Sequence, residues 1–348
     1  MFFLKRLPLS SACWSGCYSG SGDLALVSGL YKEHPHCEVA VVSNTDKRLV
    51  WTKDVRGSHK KLYEKMMVSK DNFQFRYPRV LSIAGSDSGG GAGIQADLKT
   101  FSALGCFGMT AITALTAQNT CVVRAIHGVP PEMLRDQIDA VMEDIGADAV
   151  KIVMLHSPEI VRTVAQAIDR HALQNVVFDP VMVATSGAVL IDNAAVDMLV
   201  RELFGRVAVI TPNLDEAALL VGQALKSPQD MAQAAMTLLS RGARAVLLKG
   251  GHLHGAVVVD FLATAAGEKI WMEGDRIDSP NTHGTGCTLS SAMAAHLALG
   301  ATLTEAVQLG RAFVRAALLA GARVHTGQCS GPLNHGHAPV AMQLRPLN

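Results

Sequence analysis

The chain has 348 residues, 49% of them hydrophobic, and a formal net charge of +1. This near balance of charge argues against a nucleic-acid or membrane-surface partner recruited by bulk charge, and no apolar run reaches the length of a membrane span. None of the seven cysteines forms a CxxC pair, so we expect neither a zinc site nor a disulfide framework. A reduced, cytoplasmic setting fits that cysteine usage best.

Residues 1–70 differ in character from the rest of the chain. They show no sustained helical or strand period, and the apolar stretch at 2–9 is too short and interrupted for a signal-peptide core. We predict an N-terminal extension here. It is either disordered or targeting, or it lies upstream of a natural start at Met66 or Met67.

The remainder alternates strands with helices. Apolar runs predict strands at 79–84, 107–115, 122–126, 149–155, 175–178, 207–210 and 245–249, with a hairpin over 257–262 and 269–272. Helical patterns follow at 94–104, 132–144, 158–172, 193–203, 228–240 and 288–299, and a capping box at Thr302 and Glu305 begins the last long helix. This alternation predicts an α/β fold, with a mostly parallel central sheet covered by helices on both faces.

Polar residues gather where predicted strands end, at Gly85, Asp179, Asn213 and Lys249. In open α/β sheets, ligands bind along that edge. The glycine-rich stretch 85–93 fails both standard nucleotide fingerprints, because Ile94 and Leu98 stand where glycine would be required. This stretch is therefore either a simple connection or the wall of a pocket for another ligand, with Asp97 facing that pocket.

A second glycine turn, Gly284-Thr285-Gly286-Cys287, leads into the helix at 288–299. Backbone N–H groups at a helix start have no intrahelical partner and can hold a phosphoryl group. Cys287 falls in the first helical turn, where a thiol is expected to be acidified and to serve as a base. The alternative is a tight turn capped by Thr285, with Cys287 as buried filler.

Taken together, these motifs resemble the hydroxymethylpyrimidine/phosphomethylpyrimidine kinases of the ribokinase superfamily. The resemblance covers residues from about 79 to 335 and predicts a kinase domain over 79–340. The matching stretches are 84–100, 114–120, 179–184, 211–213, 249–252 and 281–288. Two departures are Val153, where glycine is usual, and the loop 327–335, which is poorer in glycine than in relatives.

The resemblance also implies residue roles. Gly284, Thr285, Gly286 and Cys287 would form the anion hole, with Cys287 as base and Lys249 neutralising charge. The residues implied to line the pyrimidine pocket are Gly85, Asp97, Gln118, Met154 and Val181. Asn213, Glu216 and Lys249 would face ATP and Mg²⁺, with Glu216 on the metal. The alternatives are a capping box for Asn213 and Glu216, and a solvated strand end for Lys249.

The activity implied is ATP-dependent phosphorylation of 4-amino-5-hydroxymethyl-2-methylpyrimidine and of its monophosphate, in thiamine biosynthesis, by a homodimer. A pyridoxal/pyridoxine kinase and a non-catalytic pyrimidine sensor are the alternatives. A pure sensor would need neither Lys249 nor the Gly284–Cys287 turn.

Overall fold

The computed structural model describes residues 24–28, 39–43, 49–51, 73–182 and 193–347. The chain divides into two compact units, 1–74 and 75–348. Val183 and Ala184, which close one matching motif, and the suggested start at Met66 or Met67 lie outside the described residues.

Three short strands lie in the first unit, in a segment where the sequence showed no strand period. They are β1 (Leu24–Ser28), β2 (Val39–Ser43) and β3 (Leu49–Trp51), and they pair antiparallel in that order. Valine-rich runs favour strands, but runs this short do not display an alternation that sequence reading can detect. The nature of residues 1–70 as an extension stays a prediction.

A nine-stranded sheet is the centre of the second unit. Its strands are β5 (Arg79–Asp87), β6 (Phe107–Gln118), β7 (Val123–Gly128), β8 (Ala149–Val153), β9 (Val176–Asp179), β10 (Val209–Ile210), β11 (Ala245–Leu248), β12 (Val257–Thr264) and β13 (Lys269–Asp275). They lie in the order β13-β12-β11-β10-β9-β8-β5-β6-β7. From β6 across to β11 all neighbours are parallel, and the outer pairs are antiparallel. The short β4 (Phe75–Arg76) pairs with β14 (Arg345–Pro346) in a separate sheet.

The predicted helices are present, and the structure adds a short helix at Leu214–Val221 that the sequence pattern did not predict. They are α1 (Gly93–Ala103), α2 (Pro131–Asp144), α3 (Pro158–Arg170), α4 (Asn193–Leu203), α5 (Leu214–Val221), α6 (Pro228–Ser240), α7 (Thr285–Ala298) and α8 (Leu303–Gly321). Thr302 and Glu305 form the predicted capping box of α8. Among the helices that the structure describes, none is long and apolar enough to cross a membrane.

Alternate residues of each central strand face opposite layers of helices. Leu81 and Ile83 pack in one apolar cluster with residues of α2 to α6. Val80 and Ala149 pack in another, with residues of α1, α7 and α8. Because successive strand side chains point to opposite faces, these clusters are the two sides of one sheet. The predicted α/β architecture, with a mostly parallel sheet covered on both faces, is confirmed.

Candidate active site

A cavity of about 420 Å³ opens at the edge where the parallel strands end, as the strand-end polar residues predicted. We call it the first cavity. Of the predicted site residues, those lining it are Gly85, Gln118, Met154, Val181, Asn213, Glu216, Lys249, Gly284, Thr285, Gly286 and Cys287. Val153, one of the two departures from the family pattern, is also part of its wall.

Gly85 and Met154 form one wall by close approach. Met154 follows β8 with a φ of 57°, in the left-handed region that methionine seldom adopts. A Cβ on Gly85 would collide with the Met154 sulfur, so only glycine lets that side chain occupy the wall.

Asp97 does not line the first cavity, and that expectation is wrong. It lies on α1, fully buried, and accepts hydrogen bonds from Ser82 Oγ at 2.5 Å and Ser291 Oγ at 2.6 Å. Lys151 Nζ lies 2.9 Å from both carboxylate oxygens of Asp97. The helix rotates by about 100° per residue, and this rotation turns Asp97 away from the glycine loop and toward the sheet.

The turn at Gly284 brings the two glycine loops into contact. Gly284 precedes α7 with a φ of 86°, and a Cβ there would collide with the carbonyl oxygen of Gly91. Thr285 and Gly286 then begin α7, where backbone N–H groups lack intrahelical partners. The Thr285 N–H donates to the Thr282 carbonyl oxygen at 3.3 Å, and the anion hole expected at this turn stays a prediction.

Cys287 is half-buried in the first turn of α7 and lines the first cavity. Burial raises its pKa above that of an ordinary thiol, and this outweighs the opposing effects of Lys151 and the Gly93 N–H. The expected acidification by the helix start is therefore wrong. Loss of water from around the thiolate is the larger effect here.

Lys249 lies between two acidic residues, where β9, β11 and α5 meet. Its Nζ lies 2.7 Å from Asp179 Oδ1 and 3.9 Å from Glu216 Oε2. Burial raises the pKa of Glu216 to about 7, although the Lys249 charge opposes that shift. Burial alone would lower the pKa of Lys249, but Asp179 and Glu216 raise it, so this lysine is cationic.

Asn213 and Glu216 also form a capping box at the start of α5. The Asn213 side chain accepts a hydrogen bond from the Glu216 N–H at 2.9 Å, and Glu216 Oε2 accepts one from the Asn213 N–H at 2.7 Å. The structural alternative for this pair is therefore correct. It is compatible with a role in binding, because both residues line the first cavity as well.

Sequence reasoning gave no role to Asp87 and His283, which face the same cavity. Asp87 accepts hydrogen bonds from the Gly89, Gly91 and Ala92 amides, and its Oδ2 lies 3.0 Å from His283 Nε2. His283 Nε2 is also 3.3 Å from Gln118 Nε2. Burial would raise the pKa of Asp87, but the bonds from His283 and these amides lower it. The sequence did contain a signal for these two residues, because Asp87 lies in the matching stretch 84–100 and His283 lies in 281–288.

A second cavity, of about 470 Å³, adjoins the first. The residues shared by both are Asn213, Lys249, His252, Thr285 and Gly286. Arg276, Arg311 and Arg315 line the second cavity. No residue of the described loop 327–335 lines it directly, but Ser330 Oγ lies 3.3 Å from Oγ1 of Thr282, which is part of its wall.

Cys121 and Cys329 form a disulfide, although the cysteine spacing predicted no disulfide framework. They are 208 residues apart in the chain, so no local spacing could reveal the pair. The bond joins the turn after β6 to the loop 327–335, where the Cys329 N–H donates to Thr120 Oγ1 at 3.4 Å. Since disulfides persist in oxidising surroundings, it gives no support to the predicted reduced setting, which stays a prediction.

Comparisons with known proteins agree with this geometry. A family model described as phosphomethylpyrimidine kinase matches residues 87–334. The hydroxymethylpyrimidine/phosphomethylpyrimidine kinase of Rhizobium meliloti is 49% identical over 258 residues, which are 74% of this chain and 96% of that protein.

Two solved structures are similar in fold. An ADP complex of Bacillus subtilis pyridoxal kinase has a TM-score of 0.68 at 37% identity, covering 74% of this chain and 97% of its own. The phosphomethylpyrimidine kinase of Clostridium difficile 630 has a TM-score of 0.61 at 42% identity, covering 68% of this chain and 97% of its own.

Proposed function

The chain belongs to the phosphomethylpyrimidine kinase family, and on that basis we propose that it is an ATP-dependent kinase with a ribokinase-like fold. Its acceptors are 4-amino-5-hydroxymethyl-2-methylpyrimidine and the corresponding monophosphate, and its product is the diphosphate used in thiamine biosynthesis. The observation that carries this proposal is the meeting of two cavities at the Gly284–Cys287 turn.

The two cavities divide the substrates between them. The first holds Gln118, whose amide offers donors and an acceptor to an aminopyrimidine edge. The second, with its three arginines, takes ATP. A phosphoryl group passing between them crosses the start of α7, where the backbone N–H groups and Lys249 neutralise its charge.

In the first step the hydroxymethyl oxygen attacks the terminal phosphorus of ATP. An oxygen–phosphorus bond forms, the bond to ADP breaks, and Cys287 takes the hydroxyl proton as a thiolate, a form that burial makes scarce and that Lys151 and the Gly93 N–H favour. The second acceptor is an ionised phosphate, so that step needs no base. Gly85, Met154 and Val181 only shape the wall of the first cavity around the pyrimidine ring.

Glu216 is suited to a magnesium ion. Mg²⁺ in phosphoryl-transfer sites is commonly held by one or two carboxylates together with the substrate phosphates. The Glu216 carboxylate lines the first cavity and stands beside Asn213 and Lys249, which line both. When bound, the ion would offset the phosphate charge. A homodimer remains part of this proposal on the strength of the family resemblance alone, and a cytoplasmic location remains part of it on the cysteine usage.

Pyridoxal kinase activity is a second candidate, because a pyridoxal kinase is among the solved structures of similar fold. The test is ADP release by the purified chain with each acceptor in turn: the pyrimidine alcohol, its monophosphate and pyridoxal. We expect turnover with both pyrimidines. Turnover with pyridoxal alone would favour the second candidate. Pyrimidine binding without ADP release would indicate a non-catalytic pyrimidine sensor.

A further inference from the structure

Lys151 is a fully buried cation that the proposed reaction does not use. It lies in the middle of β8, and both it and its partner Asp97 have side chains that are 0% exposed. Burial would lower the pKa of Lys151, but the neighbouring Asp97 raises it, so this lysine is cationic. A buried ion pair seldom stabilises a fold more than apolar residues of the same size would. Stability alone therefore does not explain its presence.

The pair lies one helical turn below Cys287. Cys287 and Ser291 are four residues apart on α7, so they share one face of that helix. Ser291 Oγ donates to Asp97 Oδ1 at 2.6 Å, and Asp97 is the residue that holds Lys151. Cys287 and the serine that donates to Asp97 thus lie on a single face of α7.

The sheet places Lys151 on the same side. Lys151 and Val153 are two residues apart on β8 and therefore face the same layer. Val153 belongs to the apolar cluster against which Cys287 packs, and so does Ile94, three residues before Asp97 on α1. Lys151, Asp97 and Cys287 accordingly converge between β8, α1 and α7.

Several charged groups act on the thiol from the surrounding elements. Burial raises the pKa of Cys287 most, and Asp97 on α1 and Asp179 on β9 raise it further. Lys151 on β8 lowers it more strongly than either carboxylate raises it, and the Gly93 N–H lowers it as well. Lys249 is nearby too, and the Cys287 charge in turn raises the pKa of that lysine.

We propose that Lys151 is a positioning residue for the base: its sealed ammonium stabilises the Cys287 thiolate through space, and Asp97 fixes the ammonium and weakens its effect. The proposal rests on the proposed function for its catalytic meaning, but the charge interaction itself does not depend on any substrate. Removing the cation and removing the anion should therefore shift the ionisation of Cys287 in opposite directions. A purely structural pair would not do this.

The test is the pH profile of iodoacetamide alkylation at Cys287 in the full chain, read by peptide mass spectrometry. In Lys151→Met we expect the midpoint to rise by roughly one pH unit, since one buried charge is lost nearby. In Asp97→Asn the midpoint should fall. In the double variant Lys151→Met/Asp97→Asn it should rise by less than in Lys151→Met.

Cys106 is the control within the same digest, because burial raises its pKa to about 12 and it reacts only if the fold opens. If Cys106 becomes alkylated in Lys151→Met, the fold of that variant has opened, and the test then rests on Asp97→Asn and the double variant. Midpoints that do not move, or that move in the same direction in both single variants, overturn the proposal. Because alkylation needs neither ATP nor acceptor, a failure of the proposed function would leave this result readable.

Discussion

Two lysine–aspartate pairs flank the start of α7, and they differ in what can reach them. Lys151 and Asp97 are both 0% exposed, whereas the Lys249 side chain is 13% exposed beside a buried Asp179. In the Lys151–Asp97 pair, which we call the sealed pair, the carboxylate oxygens accept hydrogen bonds from serine hydroxyls, one on β5 and one on α7. In the Lys249–Asp179 pair, which we call the open pair, Lys249 lines both cavities and Asp179 lines the first.

The difference separates two uses of buried charge. A sealed pair meets no ligand, so it acts through its field and through packing. An open pair keeps donors for an incoming phosphate, where one preorganised cation is worth more than in water. The sealed Lys151–Asp97 pair and its neighbours should therefore govern the stability of the fold and the ionisation of Cys287. The open Lys249–Asp179 pair and its neighbours should govern turnover. Titration and substitution can test that division.

The largest effect shared by both phosphorylation steps is expected from Lys249→Met. Loss of this cation removes charge neutralisation from both phosphorylation steps, so kcat should fall about 10²–10³-fold with either acceptor. Steady-state rates with each acceptor measure it, and Lys226→Met, at an exposed lysine, is the matched control. Comparable kcat values in the two variants would contradict a role for the open pair in transfer.

A stability effect of intermediate size is expected from the buried His335, which contacts α7. Burial lowers its pKa to about 4 from the ordinary 6.5, and its Nε2 lies 2.9 Å from Thr288 Oγ1 on α7. Between these pH values the unfolded chain binds more protons than the folded one. The free energy of unfolding should therefore decrease as pH falls from 6.5 to about 4, by roughly 3 kcal/mol.

Urea unfolding at several pH values measures this decrease. His335→Gln should flatten the profile, and His325→Gln, at an exposed histidine, should leave it as in the natural chain. Parallel profiles in the two variants would show that His335 does not carry the acid sensitivity.

A smaller effect belongs to Glu216 on the open side. Burial raises its pKa to about 7, so protonation competes with Mg²⁺ near neutral pH. Below pH 7 the Mg²⁺ concentration for half-maximal turnover should rise by up to about tenfold per pH unit. Glu216→Gln should lose that dependence, whereas Glu268→Gln, at an exposed glutamate between β12 and β13, should keep it. A dependence that survives in Glu216→Gln would remove Glu216 from the metal site.

Much of this site was readable from the sequence because its residues follow strand ends in short motifs. Gly85, Asn213 and Lys249 come directly after apolar runs, and parallel strands bring such positions to one edge. The same reasoning failed for Asp97, which lies close to a glycine loop in sequence but is turned inward by its helix.

Other features depend on the folded surroundings and could not be read locally. The raised pKa of Cys287 results from burial among residues of β5, β6, β8 and α1. The disulfide joins Cys121 and Cys329 across 208 residues. The Lys151–Asp97 pair required knowing that β8 and α1 are neighbours, since a lysine inside an apolar strand has no partner within its own motif.

The central claim is that Cys287 takes a proton only when the acceptor is a hydroxyl, and the most direct test is Cys287→Ala with each acceptor supplied separately. Phosphorylation of the pyrimidine alcohol should fall about 10²–10⁴-fold, the usual cost of losing a general base. Phosphorylation of the monophosphate should stay close to that of the natural chain, because the anion-binding N–H groups belong to the backbone. Cys287→Asp should recover part of the first step. An equal loss in both steps would contradict the account and leave Cys287 as a residue that only shapes the turn.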